Sequence, residues 1–220
     1  MKTRVKICCI SSVDEARLAI KFGASAIGLV GNMPSGPGVI ADALITEIAQ
    51  SVPPGLSTFL LTSETTTDGI IKHVKSACTN TVQIVDTPEP GAYAKIRKEL
   101  PWIKIVQVIH VISEDSVDEA LNISSRVDAL LLDSGNPNLK VKVLGGTGRV
   151  HNWKLSRKIV AGSEVPVFLA GGLKPGNVSG AITKVRPYGV DVCSGVRTDG
   201  NLDEEKLRQF IENIRSLSSK

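Results

Sequence analysis

The chain has no CxxC pair, no block of lysine and arginine, no low-complexity segment and no apolar run of membrane-spanning length. A membrane helix needs roughly 18 to 20 consecutive apolar residues, so no membrane-spanning helix is expected. The opening apolar stretch, Val5 to Ile10, is too short for a signal-peptide core. Cys8, Cys9, Cys78 and Cys193 lie inside apolar segments without metal-ligand spacing. Buried reduced thiols in a cytoplasmic protein are expected, and neither a disulfide framework nor a zinc site. The 26 basic and 22 acidic residues are scattered, which argues against nucleic acid as a partner; the net charge of +4 is compatible with a small anionic substrate but does not require one. Aromatics are 4% and hydrophobic residues 42% of 220 positions. That is enough for one sizeable core and predicts a single domain over 1–220.

Short β-branched apolar runs alternate with segments of helical period from one end to the other. Strands are predicted at 4–10, 25–30, 57–62, 81–85, 103–111, 128–133, 165–170 and 189–193. Helices are predicted at 13–21, 40–49, 67–77, 92–100, 116–124, 153–161, 177–185 and 203–216. Runs such as Asp128-Ala-Leu-Leu-Leu-Asp133 suit parallel strands buried on both faces, each returned by a crossover helix. Eight such units in one chain predict an eight-stranded parallel (β/α)8 TIM barrel, with an open doubly wound sheet as the alternative. Ser12 and Glu15 read as a capping box for the first helix, and Gly23 as its stop.

In such a barrel chemistry sits where strands give way to loops at the carboxyl face. Three glycine-rich turns fall there: Gly145-Gly-Thr-Gly148, Ala170-Gly-Gly-Leu173 and Cys193-Ser-Gly195. Glycine lets backbone N–H groups approach an anion, so Gly146, Gly171, Gly172, Cys193, Ser194 and Gly195 are candidates for holding phosphate; ordinary left-handed turns are the other reading. Strand alternation puts Lys6 and Cys8 on one face and Val5, Ile7 and Cys9 on the other. Cys8 then stands at the barrel top, either as an activated thiolate or as an inert buried thiol. Asp133 ends an apolar strand, where facing the mouth would raise its pKa and suit it to general acid work. Asp191 lies deeper as a partner for Lys6, and Gln83 points inward as a neutral hydrogen-bonding group. His73 and His151 are placed on solvated surface, and His110 is left unassigned. Cys8, Cys9 and Cys193 also leave open an oxidation-sensitive site.

These pieces, in order, resemble the phosphoribosylanthranilate isomerase family of tryptophan biosynthesis along nearly the whole chain. The matching residues are Val5-Lys-Ile-Cys8, Asp14-Glu-Ala with Phe22-Gly-Ala, Ala26-Ile-Gly-Leu-Val30, Val82-Gln-Ile84 and Ala129-Leu-Leu-Leu-Asp133. They continue with Gly145-Gly-Thr-Gly148 and Trp153, Ala170-Gly-Gly-Leu173 with Pro175 and Asn177-Val178, and Val190-Asp-Val-Cys-Ser-Gly-Val196. The resemblance implies an Amadori rearrangement without metal or organic cofactor. It assigns Asp133 as the acid that protonates the ribosyl ring oxygen, Cys8 as the thiolate base at C2′, and the last two glycine-rich turns as the phosphate site. It implies a small phosphorylated substrate as partner, and a monomer or homodimer.

The chain departs from the family pattern in four places. The loop after strand two reads Ser35-Gly-Pro-Gly38, where the family has an arginine that meets the anthranilate carboxylate. Cys9 replaces a glycine, Val85-Asp86 replaces His-Gly, and Arg197 replaces a glutamate. Arg197 is therefore read either as the relocated carboxylate partner, joining Lys6 and Gln83 as substrate contacts, or as a solvated loop arginine. The alternatives to the family's reaction are isomerisation of another phosphorylated sugar or sugar amine, and a non-catalytic phosphometabolite-binding barrel.

Overall fold

The computed structural model describes residues 3–135 and 150–219. Eight parallel strands pair in sequence order and close on themselves: β1 (Arg4–Ile7), β2 (Ala26–Val30), β3 (Ser57–Thr62), β4 (Thr81–Ile84), β5 (Lys104–His110), β6 (Ala129–Asp133), β7 (Val167–Leu169) and β8 (Gly189–Val192). Closure is the β1–β8 pairing, with Lys6 opposite Asp191. The crossovers are α1 (Val13–Phe22), α2 (Asp42–Ser51), α3 (Thr67–Ala77), α4 (Ala92–Glu99), α5 (Asp115–Ser124), α6 (Trp153–Gly162) and α7 (Val178–Val185), and α8 (Glu204–Arg215) ends the series. The protein is a (β/α)8 barrel. A short hairpin not anticipated from the sequence, β9 (Arg197–Thr198) with β10 (Asn201–Leu202), precedes α8.

Alternation along the strands divides the apolar residues into two cores. Ile7, Ile27, Leu29, Leu60, Leu130 and Leu132 face outward and pack against the helices. Ala26, Phe59, Val106, Val108, Ala129, Leu131 and Phe168 fill the barrel interior, where the Phe59 and Phe168 rings meet edge to face at 5.9 Å. The same parity aims Asp133 and Asp191 inward at the barrel top.

Several local expectations need correcting. Cys9 does not stay on the helix side: β1 ends at Ile7, and Cys9 takes a left-handed backbone (φ 61°) that swings it into the inner cluster. Ser12 caps α1 through the Glu15 N–H, but the Glu15 carboxylate accepts from Ser11 rather than closing a box onto Ser12. Gly23 does stop α1, with φ 99°. Cys78 is exposed rather than buried, because it forms the left-handed cap of α3. His73 and His151 are not solvated. The His73 side chain is 11% exposed and bonds Thr62 Oγ1, whereas His151 bonds Ser156 Oγ at 2.7 Å. Burial lowers the His151 pKa to about 4. Among the described residues no helix is long and apolar enough to cross a membrane.

Candidate active site

The floor of the site is an ion pair. Lys6 on β1 is wholly buried, and its Nζ donates to Asp191 Oδ1 on β8 at 2.9 Å while sitting 5.2 Å over the Phe59 ring. Burial alone would lower the Lys6 pKa. The charge of Asp191, helped by Cys8, outweighs it and keeps the ammonium protonated. Lys6 does not line the cavity above it, so its expected role as a direct substrate contact gives way to that of a buried charge beneath Cys8.

Above this pair a cavity of about 680 Å³, its open mouth included, is bounded by Cys8, Gln83, Asp133, Gly171, Gly172, Cys193 and Ser194, with Val30, Met33, Ser35, Pro37 and Leu61 along one side. Cys8 and Asp133 thus share one cavity. In strand order β7 and β8 separate β6 from β1, which puts the turns after β7 and β8 between the carboxyl and the thiol. Gly171 and Gly172 both have positive φ, 80° and 63°, so the backbone rather than a side chain faces the cavity there. A Cβ on Gly171 would lie 2.9 Å from His151 Nδ1 and 3.0 Å from Ser134 Oγ.

The Asp133 carboxyl is desolvated, and this raises its pKa; the Ser134 N–H, donating at 2.7 Å, opposes the rise only in part. Cys8 moves the other way. The neighbouring Cys9 thiol brings the Cys8 pKa below that of an ordinary thiol; burial opposes this and Lys6 assists. Gln83 is 3% exposed and its Oε1 has no partner among the described residues, so it presents an unused acceptor to the cavity. His110 stands opposite Asp133 in register and bonds Val85 O through Nε2, lining a neighbouring cleft rather than this cavity.

Two expected contacts fall elsewhere, and a third is not among the described residues. Gly195 packs so closely on Leu173 O that no Cβ fits; it joins the turns after β7 and β8 instead of lining the cavity. Gly146 lies outside the described residues. Arg197 is turned away from the cavity: both of its terminal nitrogens bond Glu15, at 2.8 and 2.9 Å, and it also donates to Cys9 O and Gly200 O. Burial would raise the Glu15 pKa, but Arg197 and the N–H groups of Leu202 and Ser11 pull it below the usual carboxylate range. With side chains only 8% and 13% exposed, this pair ties α1 to the β9–β10 hairpin. Arg197→Met should therefore cost about 2 to 4 kcal/mol by leaving Glu15 buried without its partner. Denaturant unfolding measures that loss, and a kcat/KM within a few-fold of wild type shows that Arg197 does not hold substrate.

The structure also explains the glycine at position 38. Gly38 has φ 81°, and a Cβ there would come 2.4 Å from Cys9 Cβ. Cys9 fills the space that a side chain at position 38 would need to leave the backbone, so the residues at 9 and 38 constrain each other.

Sequence reasoning missed Gly28 on β2. A Cβ there would lie 2.8 Å from Cys8 Sγ and 2.9 Å from Lys6 Nζ, so the glycine leaves room for both groups. The signal was available, since glycine inside a strand marks close approach. Gly28→Ala should lower stability by about 1 to 3 kcal/mol through overpacking and should weaken turnover by displacing Cys8. Chemical unfolding and steady-state kinetics on one preparation read both effects.

Fold and cavity together define a (β/α)8 barrel with an acid and a thiol at its carboxyl face and glycine-rich turns between them. Residues 5–213 match the family described as N-(5'phosphoribosyl)anthranilate (PRA) isomerase, and the chain belongs to that family. It is 36% identical to the N-(5'-phosphoribosyl)anthranilate isomerase of Methanosarcina acetivorans, over 98% of this chain and 94% of that one. The crystal structure of phosphoribosyl anthranilate isomerase from Thermotoga maritima is similar at a TM-score of 0.81 and 29% identity, over 97% of this chain and 99% of that one. A phosphoribosyl anthranilate isomerase in complex with reduced 1-(o-carboxyphenylamino)-1-deoxyribulose 5-phosphate is similar at a TM-score of 0.78 and 28% identity, with the same coverage.

Proposed function

We propose that the chain catalyses the Amadori rearrangement of N-(5'-phosphoribosyl)anthranilate to its 1-deoxyribulose 5-phosphate product, with Asp133 as general acid and Cys8 as general base. The observation that carries this reading is the presence of Cys8 and Asp133 on one cavity, with glycine-rich turns between their strands. A proton from Asp133 to the ring oxygen breaks the bond to C1′, and the nitrogen lone pair forms the iminium. The Cys8 thiolate then takes the C2′ proton, giving the enolamine that tautomerises to the ketone. Each group is biased toward the form it needs, Asp133 toward the acid and Cys8 toward the thiolate.

Phosphate is held by backbone N–H groups of the turns at Gly171, Gly172, Cys193 and Ser194, whose binding energy orients the reacting carbons below. Gln83 offers its free acceptor to a sugar hydroxyl. The aromatic ring lies along Val30, Met33, Pro37 and Leu61. Expression in a tryptophan auxotroph lacking this isomerase should restore growth. Soluble, folded protein that fails to do so overturns the substrate assignment.

A further inference from the structure

Three of the four cysteines crowd the junction of β1 and β8, and the reaction uses only Cys8. The left-handed turn at Cys9 brings its Sγ to 2.7 Å from Cys193 Sγ. That separation is within about 1 Å of the ~2.05 Å disulfide bond length. Cys193 is half-buried and faces two openings, the substrate cavity and a groove beside Pro37 and Arg197 that Cys9 also lines. Glu15 and backbone carbonyls hold the Arg197 guanidinium beside that groove. The pair thus combines contact distance with access from solvent, the geometry that thiol–disulfide exchange requires.

We propose that Cys9 and Cys193 form a redox-active dithiol that small-molecule disulfides convert to an intramolecular disulfide across the β1–β8 seam. The Cys193 thiolate attacks one sulfur of the oxidant R–S–S–R, and the other sulfur leaves as a thiolate that takes up the proton. Cys9, deprotonated in turn, attacks the Cys193 sulfur of the mixed disulfide and releases the second R–SH. The dithiol loses two electrons and two protons, and the oxidant becomes two thiols. Cys8 is a poor partner for either neighbour: a bond to adjacent Cys9 would close a strained ring over one peptide, and Cys8 Sγ packs down against Gly28 and Lys6.

Oxidation reaches the chemistry through Cys8, a consequence that rests on the function proposed above. Cys8 is faced by Lys6 and Cys9 from β1 and its end, by Asp191 from β8 and by Gly28 from β2, with Cys193 and Asp133 on the shared cavity. Cys9 follows Cys8 in the chain and lines the same cavity, and in the reduced protein its thiol helps hold the Cys8 pKa down. A disulfide removes that thiol from beside Cys8, so the Cys8 pKa rises and less thiolate exists at neutral pH. Where a tenth of the thiolate is left, kcat/KM falls about tenfold.

The test uses the full chain carrying Cys78→Ser, which removes the exposed thiol on α3, titrated with oxidised glutathione and mapped by peptide mass after alkylation. A Cys9–Cys193 link that dithiothreitol reverses, with Cys8 still alkylated after denaturation, is the expected result. Cys193→Ser should form no link. Cys9→Gly, compatible with the left-handed backbone, should stop at a glutathione adduct on Cys193. A link involving Cys8, or Cys193 stopping as the mixed disulfide in the folded Cys78→Ser chain, overturns the proposal. A mapped Cys9–Cys193 link without loss of rate supports the pair and overturns its coupling to Cys8, whose role as base the Cys8→Ser variant tests separately.

Discussion

Asp133→Asn should lower kcat/KM by about 100- to 10 000-fold, the scale of a positioned general acid, while leaving the protein at least as stable at neutral pH. The two expectations have one physical origin. Asp133 is desolvated, and this raises its folded pKa above the unfolded value. A group raised in this way supports the fold below its unfolded pKa, and the support is lost as pH rises through the folded pKa. At neutral pH the buried carboxylate is therefore a cost that the amide does not carry. Asparagine keeps the shape and can still bond to Ser134, but it has no proton to give the ring oxygen. Steady-state rates with N-(5'-phosphoribosyl)anthranilate and urea unfolding on the same sample check both halves. A near-normal rate contradicts the acid role, and a large loss of stability shows that the inactivity is structural.

The pH dependence follows from the same pair. Turnover needs Asp133 protonated, a form lost as pH rises through its pKa, and Cys8 ionised, a form gained as pH rises through its own. The kcat/KM profile is therefore a bell, and raising Asp133 while lowering Cys8 increases the population in which both conditions hold. Asp133→Asn should erase one limb and leave the other.

The barrel was legible because a parallel strand buried on both faces must be apolar along its length, as Ala129 to Leu132 is, and each crossover helix carries its own period. Inward parity for Cys8, Asp133 and Asp191 followed from strand alternation alone. Where the strand ended, parity stopped being informative: the left-handed backbone at Cys9 moved that side chain to the mouth, and alternation cannot anticipate a single positive φ. Arg197 failed for a different reason. Its partner Glu15 lies 182 residues away, and no local pattern pairs two surface-type charges on α1 and a hairpin that the sequence did not reveal. Gly38 became interpretable only with Cys9 beside it, because the constraint is a clash between two loops.

Cys8→Ala should cost a similar factor, about 100-fold or more in kcat/KM, and Cys8→Ser should show nearly the same loss. The serine variant decides the point. It keeps the size of the side chain against Gly28 and above Lys6, but a hydroxyl does not ionise at neutral pH even with a donor and an ammonium nearby. If Cys8 served only to pack the seam between β1 and β2, serine would restore most of the rate. If it is the base, serine leaves the C2′ proton in place while ring opening by Asp133 still proceeds. Exchange of the C2′ hydrogen with deuterated solvent then separates the two roles: it should vanish in Cys8→Ala and in Cys8→Ser, whereas phosphate should still protect both variants against thermal unfolding. Persistent exchange at C2′ in either variant would assign the proton transfer to another group.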